Sequence, residues 1–425
     1  MSTQTVMPGQ GFDIPGVPGQ TTWFDQIEDT NLLSFTPSAA AQQPILGIAD
    51  FRRTDVVFNW VHHFSFSAVS WTAGTGQTLT NSAYAPYNII GPTKLQIQNQ
   101  YNSVDVENGI DLFIFDLVRP YNHRNGNYSI NGANPAGSPI GGAGQGYLNS
   151  ATPQTNYVPN LSTGTSWGRS STTFDLYFDI PGGIWFDEYY SLDVSGNYLG
   201  AIPDIFVSPQ FMAGTQRLIK TSIFTNPLVG TGTDGAIVYT TALTPTTDTA
   251  STAAAAGVLT IRRQGVYGSQ NTTTLPTPQP WQYRRKTDRF SLSGVSTKTI
   301  QVPDDAGQVL MSYVRMFDPA AASGAGAPIV PTALTAVQFQ FGSGQTWFSG
   351  TPAELQYLWV QQHGFLLPQG VLAIDFSTDE LGTFSNKRAM NTLNTAGIQW
   401  VLTFSSPTSS TAYAVLGTES LVYVV

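Results

Sequence analysis

QTWFSGTPAELQYLWVQQHGFLLPQGVLAIDF, at residues 345–376, places one short helix among strands. Thr351 suits a helix N-cap, Pro352 suits the first helical position, and Glu354 completes a Ser/Thr-x-x-Glu capping box. Gly364 provides a stop signal. The helix is short and is followed at once by β-branched and aromatic residues, so this part of the chain is predicted to be built mainly of strands.

Strand patterns surround this helix and fill an earlier part of the chain. In the C-terminal part the predicted strands are Phe290–Val302, Val309–Phe317, Ala336–Phe341, Val371–Phe376, Ile398–Phe404 and Tyr413–Val425. In the earlier part they are Val56–Phe66, Lys94–Tyr101, Phe174–Ile180, Trp185–Leu192, Arg217–Phe224 and Val258–Tyr267. Ile110–Val118 fits either a strand or a short helix. Many short strands with almost no helix predict β-sandwiches or barrels.

The chain divides into two β-rich units. The best linker is NTTTLPTPQP at residues 271–280, because its three prolines stiffen a segment without a helix or strand period. It separates a first unit at 34–270 from a second unit at 281–425. Each unit is long enough for an eight-stranded jelly roll.

Residues 1–33 are predicted to form an N-terminal arm. Their Gly and Pro spacing offers no period for either a helix or a strand. Trp23 and Phe24 are the large side chains that could anchor this arm on a neighbour. We therefore expect the arm to serve contacts rather than the core.

The composition points to a protein surrounded by other protein. Charged residues make up 11% of the 425 residues, against about 25% in an average soluble domain. A monomer usually covers its surface with charge, so this scarcity predicts extensive protein contacts. The net charge of -9 argues against nucleic acid as the main partner, because phosphate binding needs clustered Lys and Arg.

Three further absences limit the possible classes. The chain has no Cys, which excludes disulfides, thiolate metal ligands and a Cys nucleophile. Residues 1–20 have no secretory signal pattern, so we expect a chain made without export. The apolar runs are too short to span a bilayer as a helix.

No motif in the chain predicts catalysis or a cofactor. Residues 164–168 match G-x-S-x-G, but a nucleophile elbow needs a strand before it and a helix after it, and here a loop precedes and a strand follows. His62 and His63 would point to opposite faces of a strand, which suits a metal ion poorly. Adjacent acidic pairs such as Asp187-Glu188 fit turns better than a glycosidase acid and base. We expect no catalytic residue, no metal site and no cofactor.

The densest basic cluster opens the second unit and consists of Arg284, Arg285, Lys286 and Arg289. One interpretation is the exposed start of a strand. The other is an electrostatic contact with anionic lipid headgroups or with a neighbouring copy of the chain. A short charge cluster rarely specifies a partner, so the first interpretation is favoured and the second stays open.

Several short stretches carry a family resemblance. They are FDIP at 178–181, GAIP at 200–203, QRLIK at 216–220, FLLPQGV at 365–371, and the strand led by Gly397 that ends at Phe404. With the capped helix and the closing Tyr-containing strand, they resemble the double jelly roll major capsid proteins of tailless, membrane-containing icosahedral viruses. Tectiviruses are examples, and adenovirus hexon is a larger relative. The resemblance runs from about Ser34 to Val425.

The resemblance implies an all-β fold with two jelly-roll barrels or sandwiches in one chain and a few short helices. It implies a major capsid protein whose trimers form pseudo-hexagonal capsomers and self-assemble into an icosahedral shell around an inner lipid membrane and the genome. The implied partners are other copies of the chain, minor capsid, penton or membrane proteins, and the internal membrane by peripheral contact. No sequence-specific nucleic-acid binding is implied. Such a protein is made in the host cytoplasm and resides in the virion.

Two other functions stay open. A carbohydrate- or receptor-binding β-sandwich would expose a cluster of aromatic rings, and 12% of the residues are aromatic. A β-rich glycoside hydrolase would need two convergent carboxylates in a cleft.

Overall fold

The described part of the chain consists almost entirely of β-strands. A computed structural model describes residues 22–35, 44–52, 56–66, 70–72, 90–97, 101–117, 174–181, 216–224, 249–251, 257–267, 281–303, 307–321, 326–342, 344–363, 367–368, 370–376, 390–392 and 397–423. Side chains are described for residues 90–96, 104–115 and most of the described residues from 284 onward. The described ranges contain the α-helices α1 (Gly109–Leu117) and α2 (Pro352–His363) and a 3-10 helix at Pro331–Ala333. None of the described helices is long and apolar enough to cross a membrane.

The strands divide into two modules along the chain. The N-terminal module contains β1 (Thr22–Phe35), β2 (Pro44–Arg52), β3 (Val56–Phe66), β4 (Ser70–Thr72), β5 (Ile90–Ile97), β6 (Tyr101–Val106), β7 (Phe174–Pro181), β8 (Gln216–Phe224), β9 (Thr249–Ser251) and β10 (Gly257–Tyr267), with α1 after β6. The C-terminal module contains β11 (Trp281–Ser291), β12 (Thr297–Gln301), β13 (Gln308–Asp318), β14 (Ala327–Pro328), β15 (Leu334–Gln340), β16 (Thr346–Gly350), β17 (Val371–Asp375), β18 (Met390–Asn391), β19 (Gln399–Phe404) and β20 (Tyr413–Tyr423), with α2 after β16.

These strands form open sheets. A four-stranded sheet has the order β1-β10-β3-β7, and a second has the order β12-β19-β15-β16. A ten-stranded sheet follows the path β14-β13-β20-β11-β6-β5-β8-β2, and β17 and β18 both pair with β13 beside this path. Its pairings are antiparallel except between β6 and β11, which are parallel. Strands of both modules therefore share one sheet.

The C-terminal module is a sandwich of two packed layers. One layer is the part of the ten-stranded sheet around β13, β17 and β20, and the other is the sheet β12-β19-β15-β16. Trp400 is fully buried between them, and its indole N–H donates to the hydroxyl of Ser312 at 2.9 Å. The core consists mainly of Leu292, Ile300, Val302, Val309, Val314, Met316, Leu334, Val337, Phe339, Leu355, Leu372, Ile374, Phe376, Ile398, Trp400, Leu402, Phe404, Ala412, Ala414 and Leu416. Truncating a buried Trp of this kind typically costs about 3–5 kcal/mol.

Strand β13 is buried on both faces, unlike the half-buried strands of the second layer. Its inner face, including Val314 and Met316, lies in the sandwich core. Its outer face carries Tyr313 and Arg315, which are also buried. A cover from outside the sandwich is therefore required, and α1 of the N-terminal module provides it.

Most of the strands predicted from alternation are confirmed. They are β3, β7, β8, β10, β13, β15, β17, β19 and β20, with ends that differ by a few residues. Predicted strand Phe290–Val302 is wrong as a single element. The chain turns at Ser293-Gly294, where Gly294 has a φ of 64°, and β11 and β12 lie on either side. The predicted strand Trp185–Leu192 lies outside the described residues.

The predicted arm requires a correction, because residues 22–33 belong to strand β1. This strand pairs with β10, and Trp23 and Phe24 lie opposite Val266 and Gly265. Two register shifts in β1 interrupt the regular alternation on which a strand prediction depends, so the pattern is weak in the sequence. Residues 1–21 lie outside the described part of the chain.

The ambiguous segment Ile110–Val118 is helical. The side-chain oxygen of Asn108 accepts a hydrogen bond from the N–H of Ile110 at 3.1 Å. The backbone carbonyl of Asn108 accepts one from the N–H of Asp111 at 2.9 Å. Asn108 therefore caps the first turn of α1. The cap favours the helix because a strand would leave these groups for a neighbouring strand to satisfy.

The capping box predicted for α2 is confirmed. The N–H of Glu354 donates to the hydroxyl of Thr351 at 3.3 Å, and the N–H of Thr351 donates to the carboxylate of Glu354 at 2.6 Å. Helix α2 ends at His363, and the predicted stop residue Gly364 lies outside the described residues.

We expect Thr351→Ala to lower the free energy of unfolding by about 1 kcal/mol, because it leaves the N–H of Glu354 without its cap. Thr351→Ser keeps the hydroxyl and serves as the control. Urea unfolding of the three proteins measures the effect. Equal stability of Thr351→Ala and Thr351→Ser would contradict the assigned cap.

Candidate functional site

The two modules meet where β6 and β11 pair in parallel. Val104 lies opposite Arg285, and Asp105 lies opposite Lys286. We use the term junction for β6, α1 and the outer faces of β11, β13 and β20. The predicted linker at 271–280 lies outside the described residues, so the described contact between the modules is the junction itself.

Helix α1 brings a carboxylate to the outer face of β13. Asp111 accepts hydrogen bonds from the hydroxyl of Tyr313 at 3.0 Å and from Nε and Nη2 of Arg315 at 2.8 and 2.9 Å. Asp111 is 0% exposed and Arg315 is 2% exposed. Two parallel N–H···O bonds between a guanidinium and a carboxylate are a strong and directional form of ion pair. The partners are 204 positions apart, so this contact ties one module to the other.

A second buried ion pair lies nearby, between β11 and β20. Nε of Arg285 donates to Oε1 of Glu419 at 3.1 Å, and both side chains are fully buried. The guanidinium carbon of Arg285 lies 5.3 Å from the ring centre of Phe115 in α1. The ring of Phe115 also meets Tyr313 edge-on, with 5.2 Å between centroids. Helix α1 therefore contacts the second ion pair through Phe115.

A third contact lies at the margin of the junction. The hydroxyl of Thr287 accepts the N–H of Glu107 at 2.8 Å, and the carboxylate of Glu107 forms an ion pair with Arg289. The guanidinium carbon of Arg289 lies 4.1 Å from the ring centre of Tyr413, a cation–π distance. Burial raises the pKa of Glu107, and Arg289 offsets part of this rise.

A glycine makes room for the tyrosine in this network. Gly417 lies opposite Tyr313 in the β13–β20 pair, and a Cβ at Gly417 would lie 2.0 Å from Cε1 of the Tyr313 ring. A side chain at Gly417 would displace the ring from Asp111. Burial raises the pKa of Tyr313 well above its ordinary value, and the carboxylate of Asp111 adds to the rise. The hydroxyl therefore stays protonated and continues to donate to Asp111.

No protein-family model and no curated protein matches the sequence. Solved structures do match. The capsid protein of Sulfolobus Turreted Icosahedral Virus gives a TM-score of 0.51 at 14% identity, over 95% of this chain and 97% of that chain. PBCV-1 VP54 gives 0.51 at 11% identity, over 94% of each chain. The Faustovirus major capsid protein gives 0.50 at 10% identity, over 99% of this chain and 93% of that chain.

These similarities cover both modules in one alignment, and at such low identity they concern the fold. The chain has the double jelly-roll fold. The predicted fold class is therefore confirmed, and its jelly rolls are open sandwiches rather than closed barrels. The solved double jelly rolls that it resembles are major capsid proteins.

The junction of this double jelly roll contains charged side chains that are buried from solvent. Removing each ion from water costs several kcal/mol, and a buried pair recovers this only with close geometry and further hydrogen bonds. Asp111 meets that condition, because it accepts three hydrogen bonds from two side chains. A displaced register would leave buried charges unpaired, so the junction favours a single placement of one jelly roll against the other.

The predicted basic cluster is divided by the alternation of β11. Arg285 is fully buried against Glu419, which removes it from any surface patch. Arg289 forms its ion pair with Glu107 of the junction. Nζ of Lys286 pairs with a carboxylate oxygen of Asp288 at 3.0 Å. Arg284 is half-buried. Acidic groups of the same double jelly roll therefore take up part of this cluster.

The other residues considered in the sequence lie either in β3 or outside the described part of the chain. His62 and His63 occupy adjacent positions of β3. Residues 164–168 and the pair Asp187-Glu188 lie outside the described residues. Among those that are described, no group of three or more His, Asp and Glu is placed to hold a metal ion.

Sequence reasoning missed the residues that complete the junction, namely Glu107, Asp111, Arg315 and Glu419. Arg315 did carry a signal, because it lies in a predicted strand between apolar residues on both sides. An ionised side chain buried in such a strand requires a counter-charge. The choice of Asp111 as that counter-charge depends on α1 reaching β13.

We expect Asp111→Asn to lower the free energy of unfolding of this double jelly roll by about 3–5 kcal/mol, because it leaves Arg315 buried without a counter-charge. Asp105→Asn is the matched control. Its pair with Lys94, at 3.2 Å, is partly exposed, so the loss should stay within about 1 kcal/mol. Thermal and urea unfolding measure both, and equal losses would contradict the assigned role of Asp111.

The raised pKa of Tyr313 predicts a loss of stability in alkali. The unfolded chain ionises this tyrosine at its ordinary pKa of about 10, whereas the folded chain keeps it neutral. The contribution to stability is therefore complete below about pH 10 and falls as the pH rises further. Tyr313→Phe should be less stable than the wild type by about 1–3 kcal/mol near neutral pH. Urea unfolding from about pH 7 to 11 should show this difference shrinking above pH 10, and a constant difference would contradict it.

Proposed function

We propose that the protein is a major viral capsid protein, and that its function is structural rather than catalytic. The observation that carries this proposal is the match of the whole chain, both jelly rolls together, to solved major capsid proteins. A lectin-like sandwich or a hydrolase needs only one such module and a ligand cleft. A fold match over 95% of this chain and 97% of the other supports a building block of comparable size and shape.

The junction supports this function physically. A subunit of a closed shell meets several neighbours at defined angles, and an error in its own geometry is repeated in every copy. Two jelly rolls joined by a shared sheet and by buried ion pairs behave as one rigid block. In the proposal, three such blocks form a homotrimer with a nearly hexagonal outline, and the trimers self-assemble into an icosahedral shell. Such shells would enclose an inner lipid membrane and the genome.

The composition also supports self-association. Only 11% of the residues are charged, so the outer surface is poor in charge, and the junction buries two ion pairs of this small supply. Large obligate interfaces tolerate few charges in their buried centre. The protein would be made in the host cytoplasm and reside in the virion.

Contacts with minor capsid, penton or membrane proteins and with the internal membrane belong to the same proposal. Arg284, Lys286 and Arg289 keep partly exposed side chains and are the candidates within the basic cluster. The segment before β1 and the anchors Trp23 and Phe24 are the candidates at the N-terminal end. These contacts are peripheral and involve no sequence-specific recognition of nucleic acid.

We expect the purified protein to form a particle of about 137 kDa, from three chains of 45.8 kDa each, with a six-sided outline. Mass photometry gives the mass, and negative-stain microscopy gives the outline. Sheets or closed shells of such particles should appear at higher concentration. A protein that stays monomeric under all assembly conditions, or that shows glycan-dependent activity as a monomer, would overturn the proposal.

A further inference from the structure

The outer face of the sheet β12-β19-β15-β16 has an unusual composition. The inner face of this sheet packs in the sandwich core through side chains such as Ile300, Phe339 and Trp400. Alternation and register place the remaining side chains on the opposite face in three rows across the strands. These rows are Thr297, Thr403 and Ala336; Thr299, Val401, Gln338 and Ser349; and Gln301, Gln399, Gln340 and Thr346. We call this surface the glutamine face.

The glutamine face contains no ionisable side chain. An ordinary soluble surface is about 25–35% Lys, Arg, Glu and Asp, so an uncharged face across four strands departs from a monomer's surface. Its two edge strands expose Thr297, Thr299, Gln301 and Ser349, so the face reaches solvent in the isolated chain.

Four polar side chains of this face are already hydrogen-bonded to one another. The side-chain amide N–H of Gln399 donates to the side-chain oxygen of Gln340 at 3.2 Å. The side-chain amide N–H of Gln340 donates to the side-chain oxygen of Gln338 at 2.6 Å. The amide of Gln338 donates to the hydroxyl of Ser349 at 3.3 Å. Side chains ordered in this way lose little rotamer freedom when a second surface covers them. Their removal from water also leaves few unpaired polar groups.

We propose that a second copy of this chain docks on the glutamine face. The inference rests on the proposed function and deepens it, because it names a surface through which copies associate. Charge decides the occupant: each chain carries a net charge of -9, so two copies repel each other, and a face without ionised groups is where that repulsion is smallest. A phosphate or lipid headgroup would need cations, and the glutamine face has none.

The size of the face predicts the strength of the contact. With strands about 4.8 Å apart and rows about 7 Å apart, it covers on the order of 400 Å². A standard stable interface buries about 800 Å² on each partner. One contact of this kind is therefore weak alone and becomes effective when many copies assemble, as multivalent contacts do.

The test introduces charge of either sign at one exposed position of the face. Thr299→Glu and Thr299→Lys both place an ionised group where the second copy would exclude water, so both should weaken association by at least about tenfold. An effect of net charge alone would act in opposite directions in the two variants. Ser410→Glu and Ser410→Lys, on the exposed turn before β20, are the matched controls and should assemble like the wild type. Urea unfolding of all variants separates loss of assembly from loss of fold.

Mass photometry and microscopy of assembled particles give the readout, with a glycan array as a second measurement. Weakened assembly in both Thr299 variants, with normal assembly of both Ser410 variants, supports the proposed face. Normal assembly of the Thr299 variants overturns this inference and leaves the capsid function standing. A wild type that does not associate overturns the capsid function itself. Glycan binding that the Thr299 variants lose would assign the face to a sugar and overturn the inference.

Discussion

The buried ion pair between Asp111 and Arg315 is the contact on which the arrangement of the two modules depends. It joins a helix of one module to the central strand of the other, with three hydrogen bonds on one carboxylate. Buried apolar surfaces can slide against each other with small changes in energy, but a buried carboxylate tolerates only the position in which its partners reach it. The ion pair therefore converts two adjacent sandwiches into one body with a defined geometry.

The rest of the junction follows from that constraint. Strand β13 can be buried on both faces only because α1 covers the outer one, and α1 can lie there only because Gly417 leaves space for the ring of Tyr313. The chain has few charged residues and places some of them at this internal contact. The glutamine face of the sheet β12-β19-β15-β16 has none. Charge thus aligns the two modules internally, and the uncharged glutamine face is the surface that we propose for contact between copies.

Local patterns in the sequence predicted much of the fold. The capping box of α2 and strands such as β3 and β19 were readable, because capping and alternation act over a few residues. The prediction of strands failed where a register shift or a turn interrupts the alternation of side chains. The two register shifts of β1 concealed a strand within the predicted arm, and the turn at Gly294 divides what resembled one strand.

The sequence by itself determined the all-β class, the position of α2, the scarcity of charge and the resemblance to a double jelly roll. Only the tertiary structure decided that β6 and β11 continue one sheet across the modules and that Arg285 is internal. It also decided that Asp111 is the counter-charge of Arg315. The reason is physical: alternation and capping depend on neighbouring residues, whereas the partner of a buried charge depends on which distant strands and helices meet. Asp111 and Arg315 lie 204 positions apart in the chain, and no local pattern connects them.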